Sequence, residues 1–387
     1  MSSTRSEFTV CGLINHPVFQ QCTEAAAYLQ KEYSDLYHVN IYHEVPRDFY
    51  SRRQKLIDAK QIEDDHMDVI VIQTGVPQAM SGEAFLQRLQ QETKFRVLNI
   101  PVDHVNSYVN MAVASWKKFL RQRGNSYAWM LVSIGDVICG RITFELYSQV
   151  LPRTCNNFWH LCCGDLGTIV RPRERGQQQV PMQHITHMKK QQQQQQQQQK
   201  EQEEEPHLNG NGTQGGESQQ PEEATERGEG TQPQINGTTT TKAEKENKEE
   251  EEENGGEEEV RLSYKGTTFF RTLHGAWVMA GDITGDHGGN GGHSCYGRHF
   301  PDESYAIPHD TSGVIGMCND GGGNTNASSF YITMKPMAWM NGRYVAFGRV
   351  MDGMQVVEAI HNVDVRHNQS PREVITIVDC GVIDLTE

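Results

Sequence analysis

The feature that most limits how this chain can fold is a tract near its middle in which almost nothing apolar occurs. From residue 169 to 259 the sequence passes through Gln191 to Gln199, then Glu-, Gly-, Thr- and Asn-rich stretches, then Glu249 to Glu253. Such a composition cannot bury enough apolar surface to offset the entropy lost on ordering, so disorder is predicted over 169–259. The rest of the 387 residues is long enough for two cores, with the tract set as an insertion inside the second. Counting from Ile169 to Val260, ten Lys and Arg face twenty Glu, so ten of the net −15 charges belong to this tract and the flanking parts are only mildly acidic. Neutralising duplex phosphates requires clustered Lys and Arg, so nucleic acid is not an expected partner.

The opening residues MSSTRSEFTVCGLI lack the charged region and apolar run of a secretory signal, and no stretch reaches the roughly 18 apolar residues of a membrane span. The expectation is an intracellular, cytoplasmic protein that is neither secreted nor membrane-bound. Nine cysteines, scattered and without a C-x-x-C pair, fit reduced thiols better than a disulfide framework or a zinc site.

In the first part, residues 7–124, the runs EFTVCGLI, HVNIYHEV, DVIVIQTG and FRVLNIPV are short enough for buried strands. Each is followed by a helical pattern, so a β-α-β-α-β-α-β-α order is predicted, with amphipathic helices over 17–33 and 104–123. The strand ending in Asn15-His16-Pro17-Val18-Phe19 resembles the position at which glutaredoxins and other thioredoxin-like proteins carry Cys-Pro-x-Cys. His16 and Phe19 occupy the two cysteine positions, and without a sulfur at the helix start there is no thiolate chemistry. The resemblance therefore implies a thioredoxin-like α/β domain without redox activity. Gly12 and Gly75 are isolated, so a dinucleotide loop is not supported. A docking domain for an unidentified protein partner is the remaining expectation.

The second part, residues 126–168 and 260–387, holds many short strands with glycine turns and few helices, which predicts an antiparallel barrel or sandwich. The fragments GRITFELYSQVLPRTCNNF, YKGTTFFR, GDITGDHGGNGGHSCYGRHFPDESY, GVIGMCNDGGGNTNASSFYITM and YVAFGRVMDGMQVVEAI resemble, in order, the cyclophilin-type peptidyl-prolyl cis-trans isomerases. That resemblance implies an eight-stranded antiparallel β-barrel capped by two helices, the second over 354–361. The pairing with this N-terminal part and an insertion is similar to a divergent branch, the peptidyl-prolyl isomerase-like six proteins.

Rotation about an X-Pro bond must break amide resonance across a barrier of about 18–20 kcal/mol. A catalyst needs no nucleophile and no cofactor; it must hold the proline ring and favour the twisted state. The resemblance assigns this to Arg271, whose guanidinium would bond the prolyl carbonyl and nitrogen. It also implies that Asn319 bonds the substrate backbone, that Tyr331 stands for the phenylalanine flooring the pocket, and that Trp339 and Met340 line it. Tyr331 adds a hydroxyl that needs a partner if buried.

Elsewhere the expected lining is rewritten. Phenylalanine, methionine and glutamine become Ala276, Trp277 and Met279; Cys318 stands for alanine, Ser329 for a second glutamine and Tyr344 for histidine. Loss of the wall at Ala276 weakens proline binding by about 1–3 kcal/mol unless Trp277 refills the space. A weakened isomerase, or an inactive module that binds proline-containing protein or peptide clients, is expected, with poor binding of cyclosporin. Asp286, His287, His293, Cys295 and His299 match no tetrahedral metal spacing, so no metal is predicted.

Overall fold

The computed structural model describes residues 5–62, 66–172, 257–285, 287–289 and 291–386. Most of the predicted low-complexity tract, residues 173–256, lies outside the described residues.

The N-terminal layer runs β1 (Ser6–Leu13), α1 (Pro17–Glu32), β2 (Tyr37–Glu44), α2 (Pro46–Asp58), β3 (Val69–Gln73), β4 (Met80–Ser81), α3 (Gly82–Glu92) and α4 (Tyr108–Arg123). Its sheet has the order β2-β1-β3-β4, with β1 parallel to β2 and antiparallel to β3. Helix α1 starts at Pro17, where a missing N–H costs nothing, and buries Phe19, Cys22, Ala25, Ala26 and Leu29. Ser81 and Ser107 cap α3 and α4, each hydroxyl accepting the N–H three residues on at 3.2 Å.

The fourth strand differs from the sequence expectation. FRVLNIPV is not a strand; Met80–Ser81 takes that place in the sheet. Only Phe95 and Val97 of that run pack against the layer's core, while Leu98 and Val102 are exposed and Pro101 has no N–H for a ladder. The Arg96 guanidinium instead donates to the carbonyls of Gln90, Thr93 and Phe95, tying the chain back onto the end of α3.

The barrel is built from β5 (Ser126–Ile134), β6 (Val137–Leu146), β9 (Phe269–Leu273), β10 (Trp277–Ala280), β11 (Val314–Met317), β12 (Phe330–Thr333), β13 (Ala346–Asp352) and β14 (Ile375–Val382). These eight strands lie in the order β14-β5-β6-β13-β11-β12-β10-β9, every pairing antiparallel. A bridge between Thr268 and Thr376, with the Gly266 N–H on the Ile377 carbonyl at 2.8 Å, brings the two ends of that order together. Closure of this kind leaves few unpaired edges. A separate ribbon, β7 (Thr168–Pro172) with β8 (Glu257–Arg261), flanks the undescribed tract.

Helix α5 (Pro152–Cys163) and helix α6 (Met354–His361) pack on the barrel. Phe158 of α5 is central, its ring within 5.2–5.6 Å of Phe144, Tyr264, Phe330 and Phe347. The first N–H groups of α5 are satisfied by Glu303, which accepts from Arg153 at 2.9 Å and Thr154 at 2.7 Å.

Layer and barrel form one compact unit of residues 1–169 and 259–387. Val45 and Leu120 of the layer pack with Tyr127 and Met351 of the barrel. The Arg123 guanidinium clasps the buried Glu145 carboxylate through two bonds of 2.7 and 3.0 Å, a geometry that fixes orientation as well as distance. Among the described residues, no helix is long and apolar enough to cross a membrane.

Candidate functional site

Side chains alternate across a strand, so each barrel strand has an inner and an outer row. On β10 and β12 the inner row is Val278, Ala280, Phe330 and Ile332, all members of the barrel core. The outer row of β10 is Trp277 and Met279. Strand pairing then sets the site: Met279 lies opposite Arg271 on β9 and opposite Tyr331 on β12. Three residues far apart in sequence thus form one line across three strands.

A turn of 3-10 helix at Ala338–Met340 carries Trp339 and Met340 onto this face. Trp277 and Trp339 have ring centroids 6.2 Å apart, and Tyr344 meets the rings of both Trp339 and Tyr331 at 6.1 Å. Ser329 precedes β12, and its carbonyl accepts the Cys318 N–H at 2.9 Å, which brings Cys318 alongside. The structure therefore gathers Arg271, Trp277, Met279, Cys318, Ser329, Tyr331, Trp339, Met340 and Tyr344 into one region. Asn319 follows Cys318, but its amide is engaged by its own chain: it donates to the Arg343 carbonyl at 3.4 Å and accepts the Gly321 N–H at 3.1 Å.

The outer row is covered. Relative exposure is 1% for Trp277 and Tyr331, 4% for Met279, 0% for Met340, 6% for Tyr344, 8% for Trp339 and 9% for Ser329. Only Arg271, Cys318 and Asn319 remain half-buried. Ala276, where the sequence suggested a missing wall, is itself fully buried beside Trp277. Burial lowers the Arg271 guanidinium below its ordinary pKa, partly opposed by Cys318, and among the described residues no ion pair compensates the charge. Burial likewise pushes the Cys318 thiol up, so it is protonated and not a nucleophile.

Two residues that sequence reasoning missed hold Tyr331 in place. Its hydroxyl lies 2.7 Å from His309 Nε2, and His309 Nδ1 lies 2.9 Å from Asn341 Oδ1. The same Oδ1 accepts the His309 backbone N–H at 2.8 Å, so it is the acceptor. Nδ1 therefore carries the ring proton, and Nε2 accepts from the Tyr331 hydroxyl. Burial lowers the His309 pKa, consistent with a neutral ring. Gly316, opposite Tyr331 on β11, supplies the remaining room, since a Cβ there would collide with the phenol ring and hydroxyl. The signal available in the sequence was chemical: a buried phenol requires an acceptor, though nothing in the spacing singles out His309.

Asp286 of the His/Cys loop lies outside the described residues. Among the described residues no three His, Cys, Asp or Glu side chains are grouped to hold a metal. The carboxylate of Asp282 in the same loop accepts from Thr284, Gly289 and Gly291 N–H groups at 2.8–3.2 Å, so it organises the loop.

The family model described as "Cyclophilin type peptidyl-prolyl cis-trans isomerase/CLD" matches residues 256–382, which contain β9 to β14 and every site residue above. A similar curated protein is the peptidyl-prolyl cis-trans isomerase cyp11 of Rhizopus delemar, 42% identical over 124 residues. That match covers 32% of this chain and 36% of the relative, so the chain spans just over a third of that protein's length.

Proposed function

We propose that this face of the barrel binds proline-containing segments of client proteins and turns over X-Pro bonds weakly, on the strength of the match of residues 256–382 to the cyclophilin-type peptidyl-prolyl isomerase family model. The observation that carries the reading is the contrast at Arg271. Its guanidinium is half-buried and, among the described residues, pairs with no carboxylate, as a group meant to meet a developing imide lone pair should. The apolar wall beside it, however, is already occupied by its own indole and phenol rings. A proline ring must displace part of that packing, which reduces affinity and misplaces the bond relative to the guanidinium.

Arg271 acts as the electrophilic clamp in this reading. Tyr331, Met340 and Trp277 enclose the ring, while His309 and Asn341 hold Tyr331. Two-dimensional exchange spectroscopy on a proline peptide with the full chain tests it. A small acceleration of cis-trans exchange, lost in Arg271→Ala, is expected; an identical exchange rate with and without protein overturns turnover.

A second reading, an inactive peptide-binding or scaffold module, is favoured by the 1% exposure of Trp277. Peptide shift changes without exchange acceleration would support it. Poor cyclosporin binding is expected under both readings, since the same covered wall would have to admit it.

For the N-terminal layer we infer a thioredoxin-like docking role without redox chemistry. Cys11 and Cys22 are buried and their thiols are pushed up to about 11 and about 12 by desolvation, which removes the thiolate. Phe19 is fully buried, and His16 faces Asp68 at 3.5 Å. The nine unbridged cysteines support an intracellular setting.

A further inference from the structure

Donors predominate among the polar groups left over on the outer face. The indole N–H groups of Trp277 and Trp339, which can only donate, and the Ser329 hydroxyl, which can donate or accept, are buried and have no partner among the described residues. Arg271 adds a guanidinium with no ion pair among the described residues, and Met279 directly across from it offers only a thioether. Nearby groups with lone pairs are tied into the fold. The Tyr331 hydroxyl donates to His309, and Thr333 Oγ1 accepts from the Val314 N–H at 3.0 Å. Asn319 Oδ1 accepts from Gly321. Asp320, next to Asn319, is directed to His299 at 3.3 Å.

We propose that this face selects an acidic peptide, one that presents a carboxylate to Arg271 beside its proline, over a neutral X-Pro segment. The inference rests on reading the face as a peptide site. A neutral carbonyl could answer one or two of these donors and none of the charge. A carboxylate has two oxygens and about four lone-pair sites, takes a guanidinium fork bidentately and still accepts from a neighbouring indole or hydroxyl. It also neutralises a cation that burial has left uncompensated.

The test uses the full chain, tryptophan fluorescence and calorimetry, and four capped five-residue peptides. One is a neutral Ala-Ala-Pro-Ala-Ala amide, one carries Glu before Pro, and one has the neutral side chains but a free C-terminal carboxylate in place of the amide. The last is the Glu peptide with Ala in place of Pro. At least one carboxylate-bearing proline peptide should bind about tenfold or more tightly than the neutral amide, the scale of one charge-assisted hydrogen bond. The second and third peptides distinguish a side-chain from a terminal carboxylate as its source. The advantage should vanish in Arg271→Gln, persist in part in Arg271→Lys, and shrink in high salt. Thermal melts matching wild type establish that both variants fold; if Arg271→Gln does not, loss of the preference in salt with the wild-type chain decides.

Equal affinity for the acidic and neutral proline peptides overturns the inference while leaving the proline site standing. Survival of the preference in a folded Arg271→Gln also overturns it. If the Pro-to-Ala acidic peptide binds as tightly as its parent, the carboxylate site stands and the prolyl reading fails. Absence of binding by all four overturns both.

Discussion

Along β12, Phe330 and Ile332 enter a core shared with Phe144, Phe158 and Phe347, whereas Tyr331 between them meets His309, Gly316 and Tyr344 on the opposite face. Both rows are buried, yet they are buried for different reasons. The inner row of β10 and β12 is made of Val278, Ala280, Phe330 and Ile332, apolar side chains that need matching volume and no hydrogen-bond partner. The outer row needs partners as well: where a partner exists, as for the Tyr331 hydroxyl, the side chain is pinned, and where none exists, as for the two indoles, a donor waits for one. A face that is covered and still unsatisfied is what a ligand site built for weak or selective binding should look like.

Adjacent substitutions can break this comparison. Phe330→Ala should destabilise the chain by about 3–5 kcal/mol, as for other buried aromatic truncations, because the surrounding rings cannot collapse into the cavity. Tyr331→Ala should cost less, since Trp339 and the 3-10 turn can settle inward. Equal losses in denaturant melts would mean that both rows are structural core and that the outer face is no site.

Gly316→Ala sharpens the comparison with a smaller effect. The added methyl must push Tyr331 off its seat, which should cost about 1–3 kcal/mol in overpacking and disturb the His309 contact. The expected readout is a lowered melting temperature together with shifted ring resonances of Tyr331. A melt unchanged from wild type would show that the ring is not held there.

The smallest effect concerns pH. Burial lowers the folded-state pKa of His309, so the unfolded chain binds the proton more readily. Its contribution to stability is therefore complete above the ordinary imidazole value of about 6.5, declines as pH falls below it, and is lost through the folded-state value, with a slope of at most about 1.4 kcal/mol per pH unit. His309 faces Tyr331 and Asn341, with Asp310 the nearest charge. His43 and His361 are lowered in the same direction by burial, so His309→Gln should reduce the acid-side slope without abolishing it. An unaltered slope between pH 7 and 5 would show that His309 is not held neutral by the fold.

Much of the architecture was legible beforehand. The short strands with glycine turns announced an antiparallel barrel, and the helical pattern over 17–33 announced α1. The misread strand at FRVLNIPV shows the limit: an apolar run reports burial or β-propensity, but whether it pairs depends on whether another segment already holds the edge. For the site, Arg271 and the aromatic residues were identifiable from fragments. That Trp277 would be fully covered was not, because its burial depends on Trp339, 62 positions later in the sequence.

What the amino-acid order alone determined is therefore the alternation that separates inner from outer rows, the low-complexity tract that interrupts the sequence of the barrel, and the residue types offered to the site. Only the tertiary structure decided which of those side chains are satisfied. Periodicity is a property of neighbours along one strand, whereas a hydrogen bond such as Tyr331 to His309, or its absence at Trp277, depends on chain segments that meet only once the barrel has closed.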